Sequence, residues 1–253
     1  MSENITTRKE FYEPLTELKW DTEGVTQAGA ERTLVYRDKD SGTYCRILKF
    51  PVGFSEGKTQ EEIAHACCDH DFDEMVYVAT GGVINRRLGY RYHVGSISNF
   101  IKGIGHGPLE APFGCLLVEF RHYVERDRIV GKMTTEKEFL QPGIDLKWTK
   151  ERVTEAGVES ALVYHDKEGS GSYCHIVRLP EGFHEGRKEV EKANDYDAVV
   201  YIASGGLINR RLGYRYNPGT IGVIPKGTSY GPLEAPFGAL LVEFCHYRGV
   251  KKL

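Results

Sequence analysis

The stretch MVYVATGGVINRRLGYRYHVG (Met75 to Gly95) returns as VVYIASGGLINRRLGYRYNPG (Val199 to Gly219). A second stretch, GPLEAPFGCLLVEFRHY (Gly107 to Tyr123), returns as GPLEAPFGALLVEFCHY (Gly231 to Tyr247). A third, ITTRKEFYEPLTELKW (Ile5 to Trp20), returns as MTTEKEFLQPGIDLKW (Met133 to Trp148). Between Met75–Tyr123 and Val199–Tyr247, 33 of 49 positions are identical. The chain reads as a tandem duplication with units at 5–132 and 133–253. Each unit is a control for the other. Shared residues build the fold, and residues that differ chemically mark where one unit does something the other does not.

Within each unit, short β-branched or aromatic runs such as TLVYRD, YCRILKF, MVYVAT and CLLVEF lie between turn signals. DKDSG (Asp38 to Gly42) and DKEGSG (Asp166 to Gly171) read as hairpin loops. This spacing predicts an all-β sandwich or barrel in each unit. The helical signal is weak and is confined to a turn or two in KTQEEIAHACC (Lys58 to Cys68).

Composition excludes several function classes. The 253 residues are 40% hydrophobic and 27% charged, an ordinary globular balance. A net charge of −3 with mixed signs gives no basis for binding nucleic acid. The polar start MSENITTRKEF has no apolar core of a signal peptide, and no run approaches the roughly 18 apolar residues of a membrane span. The six cysteines show no disulfide-framework spacing, so the expected setting is a reduced cytoplasm.

The differences between the units are concentrated. His70 becomes Asn194, Glu74 becomes Ala198, His106 becomes Tyr230, and Cys68 falls opposite Lys192. Directly before this cluster the first unit has 13 residues (58–70) where the second has 8 (187–194). On a strand, residues two or four apart face one side, so Cys68, His70 and Glu74 share a face. His106 lies on a later strand and closes the site. Imidazoles plus a carboxylate suit one divalent transition metal, whether iron, manganese, zinc or nickel. The expectation is one metal per chain, in the first unit alone. By the same logic Cys45 and Cys174 are core residues. Arg86, Arg87 and Arg91, repeated as Arg210, Arg211 and Arg215, are structural, as are Glu110, Glu119 and His122.

The spacing Cys68-x-His70-x3-Glu74-x6-Gly81 resembles the first cupin motif, with Cys in place of its first His. Gly95-x5-Ile101-x-Gly103-x2-His106 resembles the second, with Ile in place of Pro and Glu110 in place of its last Asn. In the second unit, Gly219-x5-Pro225-x-Gly227-x2-Tyr230 keeps that motif's Gly and Pro and loses its His. The resemblance covers both repeats and implies a bicupin, two tandem double-stranded β-helix (jelly-roll) barrels. It carries metal ligation onto His70, Glu74 and His106. The fourth ligand is left open between Cys68 and His65, which sits in the inserted segment. The implied function is a metal-dependent enzyme acting on a small oxygenated metabolite, of dioxygenase, isomerase or lyase type, loosely similar to the acetylacetone-cleaving dioxygenases. The alternative is a non-enzymatic metal or ligand sensor, similar to the cupin of certain anti-sigma factors. Fold alone does not choose between them. Barrels of this kind have exposed sheet edges. The segment at Phe139 is expected to bridge the two barrels and the one at Phe11 to support a homodimer.

Overall fold

The computed structural model describes residues 10–22, 25, 29–56, 70–125, 127, 132–133, 137–150, 157–186 and 192–248. Among the described residues strand makes up 56% and helix 4%. Two compact units emerge, one of residues 19–145 and one of 146–253 joined by 1–18. Each carries one nine-stranded sheet curled into a jelly-roll barrel. Both hairpin loops form as expected. Asp38 closes one through Ser41, and Asp166 closes the other through Ser170.

In the first barrel the strand order is Phe139–Leu140, Ile97–Phe100, Asp73–Asn85, Cys115–His122, Tyr44–Phe50 and Glu31–Arg37. The long strand Asp73–Asn85 serves both halves of the barrel. Its first part pairs with Cys115–His122 and Ile97–Phe100, and its last part with Arg91–His93 and Leu109–Ala111. The repeated Gly-Gly makes that corner. Gly81 has φ of +68°, and a Cβ there would meet the Gly114 carbonyl at 2.0 Å. Only glycine fits a backbone approach this close. Gly205 repeats the arrangement against Gly238.

Period-two alternation decides what faces inward. Leu48 and Phe50, Val76 and Val78, and Leu117 pack in one buried cluster. Continuing the same faces outward along the strands brings Arg46, Glu74, Glu119 and Arg121 to one end of the interior. All except Arg121 are at most 5% exposed. The barrel is therefore oily at one end and charged at the other. The second barrel repeats the apolar end with Val177 and Leu179, Val200 and Ile202, and Leu241.

The repeat boundaries and the contact boundaries differ, because each leading segment joins the barrel of the other repeat. Phe139–Leu140 pairs with Ser98–Ile97, and Phe11–Tyr12 pairs with Gly222–Ile221. Phe139 and Phe11 are 0% and 1% exposed. The glutamate before each phenylalanine is buried too. Glu138 accepts from the Asn85 amide, from the Gly107 N–H at 3.1 Å and from Arg87 at 3.3 Å. Glu10 accepts from Asn209 at 2.8 Å. These contacts, with the Tyr92 and Tyr216 hydroxyls against Glu138 and Glu10, account for the repeated Glu-Phe, the Asn of NRR and the last Tyr of YRY. The strand at Phe11 pairs along a sheet edge of its own chain.

Candidate metal centre

His70, Glu74 and His106 come together in the first barrel. Glu74 lies on the strand Asp73–Asn85 with its side chain on the inward face, 3% exposed. His70 precedes that strand, and the Gly103 N–H donates to its carbonyl at 2.8 Å. His106 follows the short strand Ile104–Gly105. The two imidazole Nε2 atoms lie 2.9 Å apart. Glu74 Oε2 is 3.4 Å from His70 Nε2 and 3.8 Å from His106 Nε2. With metal–donor bonds of about 2.0–2.2 Å, neighbouring donors on one ion sit about 3.0 Å apart at right angles and about 3.4 Å at tetrahedral angles. The observed separations fit three donors converging on one divalent ion.

Aromatic rings fix the imidazoles. His106 stacks on Phe100 with centroids 3.8 Å apart and planes 11° apart, and His70 stacks on Phe72 at 4.7 Å and 10°. Burial pushes the His106 imidazole down to about 3, against a partial opposing pull from Glu74. The ring is therefore neutral near neutral pH, which is the form a metal ion would need. Its Nδ1 is buried with no hydrogen-bond partner among the described residues. This departs from the usual metal-bound histidine, which donates that proton to a neighbour.

Burial would raise the Glu74 carboxyl, but the Arg121 guanidinium and the two histidines outweigh it and hold the group well below the usual carboxylate range. Arg121 Nε donates to Glu74 Oε1 at 2.7 Å, which leaves Oε2 facing the histidines. Arg121 is held in turn by the Tyr44 hydroxyl at 2.7 Å, by Glu119 at 3.2 Å and by the face of Phe72. Arg46 pairs with the same Glu119. Sequence reading missed Arg121; Glu119, read as structural, forms salt bridges with Arg46 and Arg121. The signal was present: Arg121 aligns with Cys245, and Arg46 with His175, inside otherwise shared strands.

The remaining predicted residues divide plainly. Cys68 and His65, with the whole insert, lie outside the described residues. Cys45 and Cys174 are fully buried core residues. Arg86 pairs with Glu110 at 3.7 Å and Arg210 with Glu234 at 3.2 Å, both structural contacts as expected. His122 lies against Thr43 and its repeat His246 against Ser172, each at 3.3 Å.

No protein-family model matches the chain, and no curated protein sequence matches it. Solved structures do. A candidate dioxygenase from Nostoc punctiforme superposes with a TM-score of 0.69 at 14% identity, covering 96% of this chain and 84% of that one. A cupin 2 conserved barrel domain protein from Leptotrichia buccalis gives 0.59 at 9% identity, covering 91% and 97%. Oxalate decarboxylase of Bacillus subtilis, described with Mn(II) centres, gives 0.51 at 9% identity, covering 98% and 80%. The fold is the cupin fold, present as two barrels. Among the described residues, no helix is long and apolar enough to cross a membrane.

Proposed function

We propose that this protein is a metal-dependent enzyme acting on a small oxygenated metabolite at one centre in the first barrel. The observation that carries this reading is the convergence of His70, Glu74 and His106, with donor atoms 2.9 to 3.8 Å apart, in a barrel whose repeat has lost all three. A divalent ion held there would act as a Lewis acid towards a substrate carbonyl or carboxylate. Three protein donors leave positions for that substrate.

The protein's own residues set up this chemistry. Arg121 keeps Glu74 ionised and holds its Oε1, so that Oε2 is presented in one orientation. Phe100 and Phe72 hold the imidazoles in place by stacking. The buried guanidinium also favours an anionic or enolisable substrate nearby. Two of the structurally similar proteins are described as a candidate dioxygenase and an oxalate decarboxylase, which supports redox, lyase or decarboxylation chemistry on small oxygenated substrates.

Elemental analysis of protein purified without added metal tests the centre. About one iron, manganese, zinc or nickel per chain is expected, and His106→Ala should lose it. Stoichiometric metal in His106→Ala would overturn the centre. Turnover of 1,3-diketones, hydroxy acids and dicarboxylates, followed by NMR with dissolved oxygen recorded, tests the enzyme. Turnover that survives chelation would overturn that reading while leaving the centre intact.

A further inference from the structure

The second barrel contains a cavity of about 270 Å³. Its walls include Val177, Leu179, Val200 and Leu241, and its polar end carries His175 and Glu243. Comparison with the first barrel, register by register, shows how the cavity arose. There Arg46 lies opposite Glu119, and Arg121 opposite Glu74. Here His175 lies opposite Glu243, and Cys245 opposite Ala198. Two guanidinium groups and one carboxylate have been replaced by smaller side chains, while the glutamate at the centre of the group has been kept.

That glutamate has changed surroundings. Glu119 is gripped by Arg46 and Arg121, and its side chain is 6% exposed. Glu243 meets His175 Nε2 at 2.8 Å, and its side chain is 23% exposed and lines the cavity. His175 is buried, and its Nδ1 has no hydrogen-bond partner among the described residues. A carboxylate beside an apolar cavity, without the two guanidinium groups that grip its counterpart Glu119, attracts a positive charge strongly, because the surroundings screen it poorly.

We propose that the second barrel is a binding site for a small organic cation, an ammonium group carried on an apolar body. The ammonium rests on Glu243, where the first barrel places arginine. The body lies among the aliphatic walls. Aromatic residues Phe11, Tyr173, Tyr196 and Tyr230 also line the cavity, and aromatic faces favour cations over anions. A second lining carboxylate, Glu185, works against anionic ligands as well. An engineered cavity of about 150 Å³ accepts benzene, so this one has room for about ten non-hydrogen atoms. The competing occupant is a metal ion, since donor atoms of His175, Glu243 and Cys245 all lie within 4.8 Å of one another. The apolar walls favour the organic cation, because a bare ion has no use for them.

The test is calorimetric titration of the full-length protein with three near-isosteric probes: 2-phenylethylamine, 2-phenylethanol and 3-phenylpropanoate. The amine should bind at least about ten-fold more tightly than the alcohol, and the carboxylate should show no binding. Glu243→Gln should bring amine and alcohol to within about three-fold. Ala198→Phe, which fills the cavity, should remove binding of both. His106→Ala, in the other barrel, should leave amine binding unchanged, which separates this site from the proposed metal centre. Equal affinity for amine and alcohol, an unchanged amine affinity in Glu243→Gln, or no binding by any probe would overturn the proposal. So would stoichiometric Zn²⁺ binding by His106→Ala that His175→Ala abolishes.

Discussion

Replacing Arg121 with methionine should destabilise the metal-free protein severely, and the repeat suggests how to reverse the damage. Glu74 is 3% exposed, and Arg121 is the leading cause holding its carboxyl below the ordinary range against burial. Removing the guanidinium leaves a buried carboxylate without its cation. Breaking a buried pair in this way costs about 3–5 kcal/mol. For a chain of this size each kcal/mol moves the melting temperature by about 2–4 °C, so Arg121→Met should melt roughly 6–20 °C lower, measured after chelation. The double change Glu74→Ala with Arg121→Cys copies Ala198 and Cys245, the pair at the same register of the second barrel. It removes both charges together, leaves Glu119 with Arg46, and should recover most of the loss. Adding a divalent ion should raise the melting temperature of Arg121→Met more than that of the parent, because the ion supplies the missing positive charge. The reasoning fails if Arg121→Met melts within about 2 °C of the parent, or if the double variant is no more stable than the single one.

Other outcomes follow from the same geometry. Phe139→Ala removes a fully buried ring from the first barrel's apolar cluster and should cost about 3–5 kcal/mol in urea unfolding, with Phe11→Ala doing the same to the second barrel. Burial raises the Glu138 carboxyl above its ordinary 4.5, so its contribution to stability is full below that pH and is lost as pH rises through the folded value. Glu138→Gln should therefore narrow the stability difference between pH 4.5 and 7 relative to the parent, as read from denaturation midpoints. If the insert supplies a fourth donor, either Cys68→Ser or His65→Ala should weaken metal binding by competition with a chelating dye, and the other should not.

The duplication made the fold and most of the candidate centre readable. Two copies of one strand pattern predict two barrels, and the losses at His70, Glu74 and His106 mark one site because the strands around them hardly change. Two things escaped for physical reasons. Which barrel a leading segment joins depends on which sheet edge it reaches in space, and the repeat places both copies of KEF identically in sequence. Arg46 and Arg121 escaped because arginine on an alternating strand ordinarily faces water. Their inward placement follows from the cross-strand partners Glu119 and Glu74, and that register is not written locally.

The register also explains why the two interiors diverged as sets rather than one residue at a time. In the first barrel Glu74, Glu119, Arg46 and Arg121 form one neutralised group of two carboxylates and two guanidinium ions. Losing Glu74 alone would leave two guanidinium groups sharing Glu119, and losing Arg121 alone would strand Glu74, each at the cost of a net buried charge. The second barrel has lost both, with Ala198 and Cys245 in their places, and has exchanged Arg46 for His175. What survives is one carboxylate, one imidazole and an open volume. The replacement of the candidate donors at positions 194, 198 and 230 and the space beside Glu243 thus belong to one set of substitutions. The cross-strand pair that aims Glu74 at the histidines in one barrel is the pair whose removal makes room in the other.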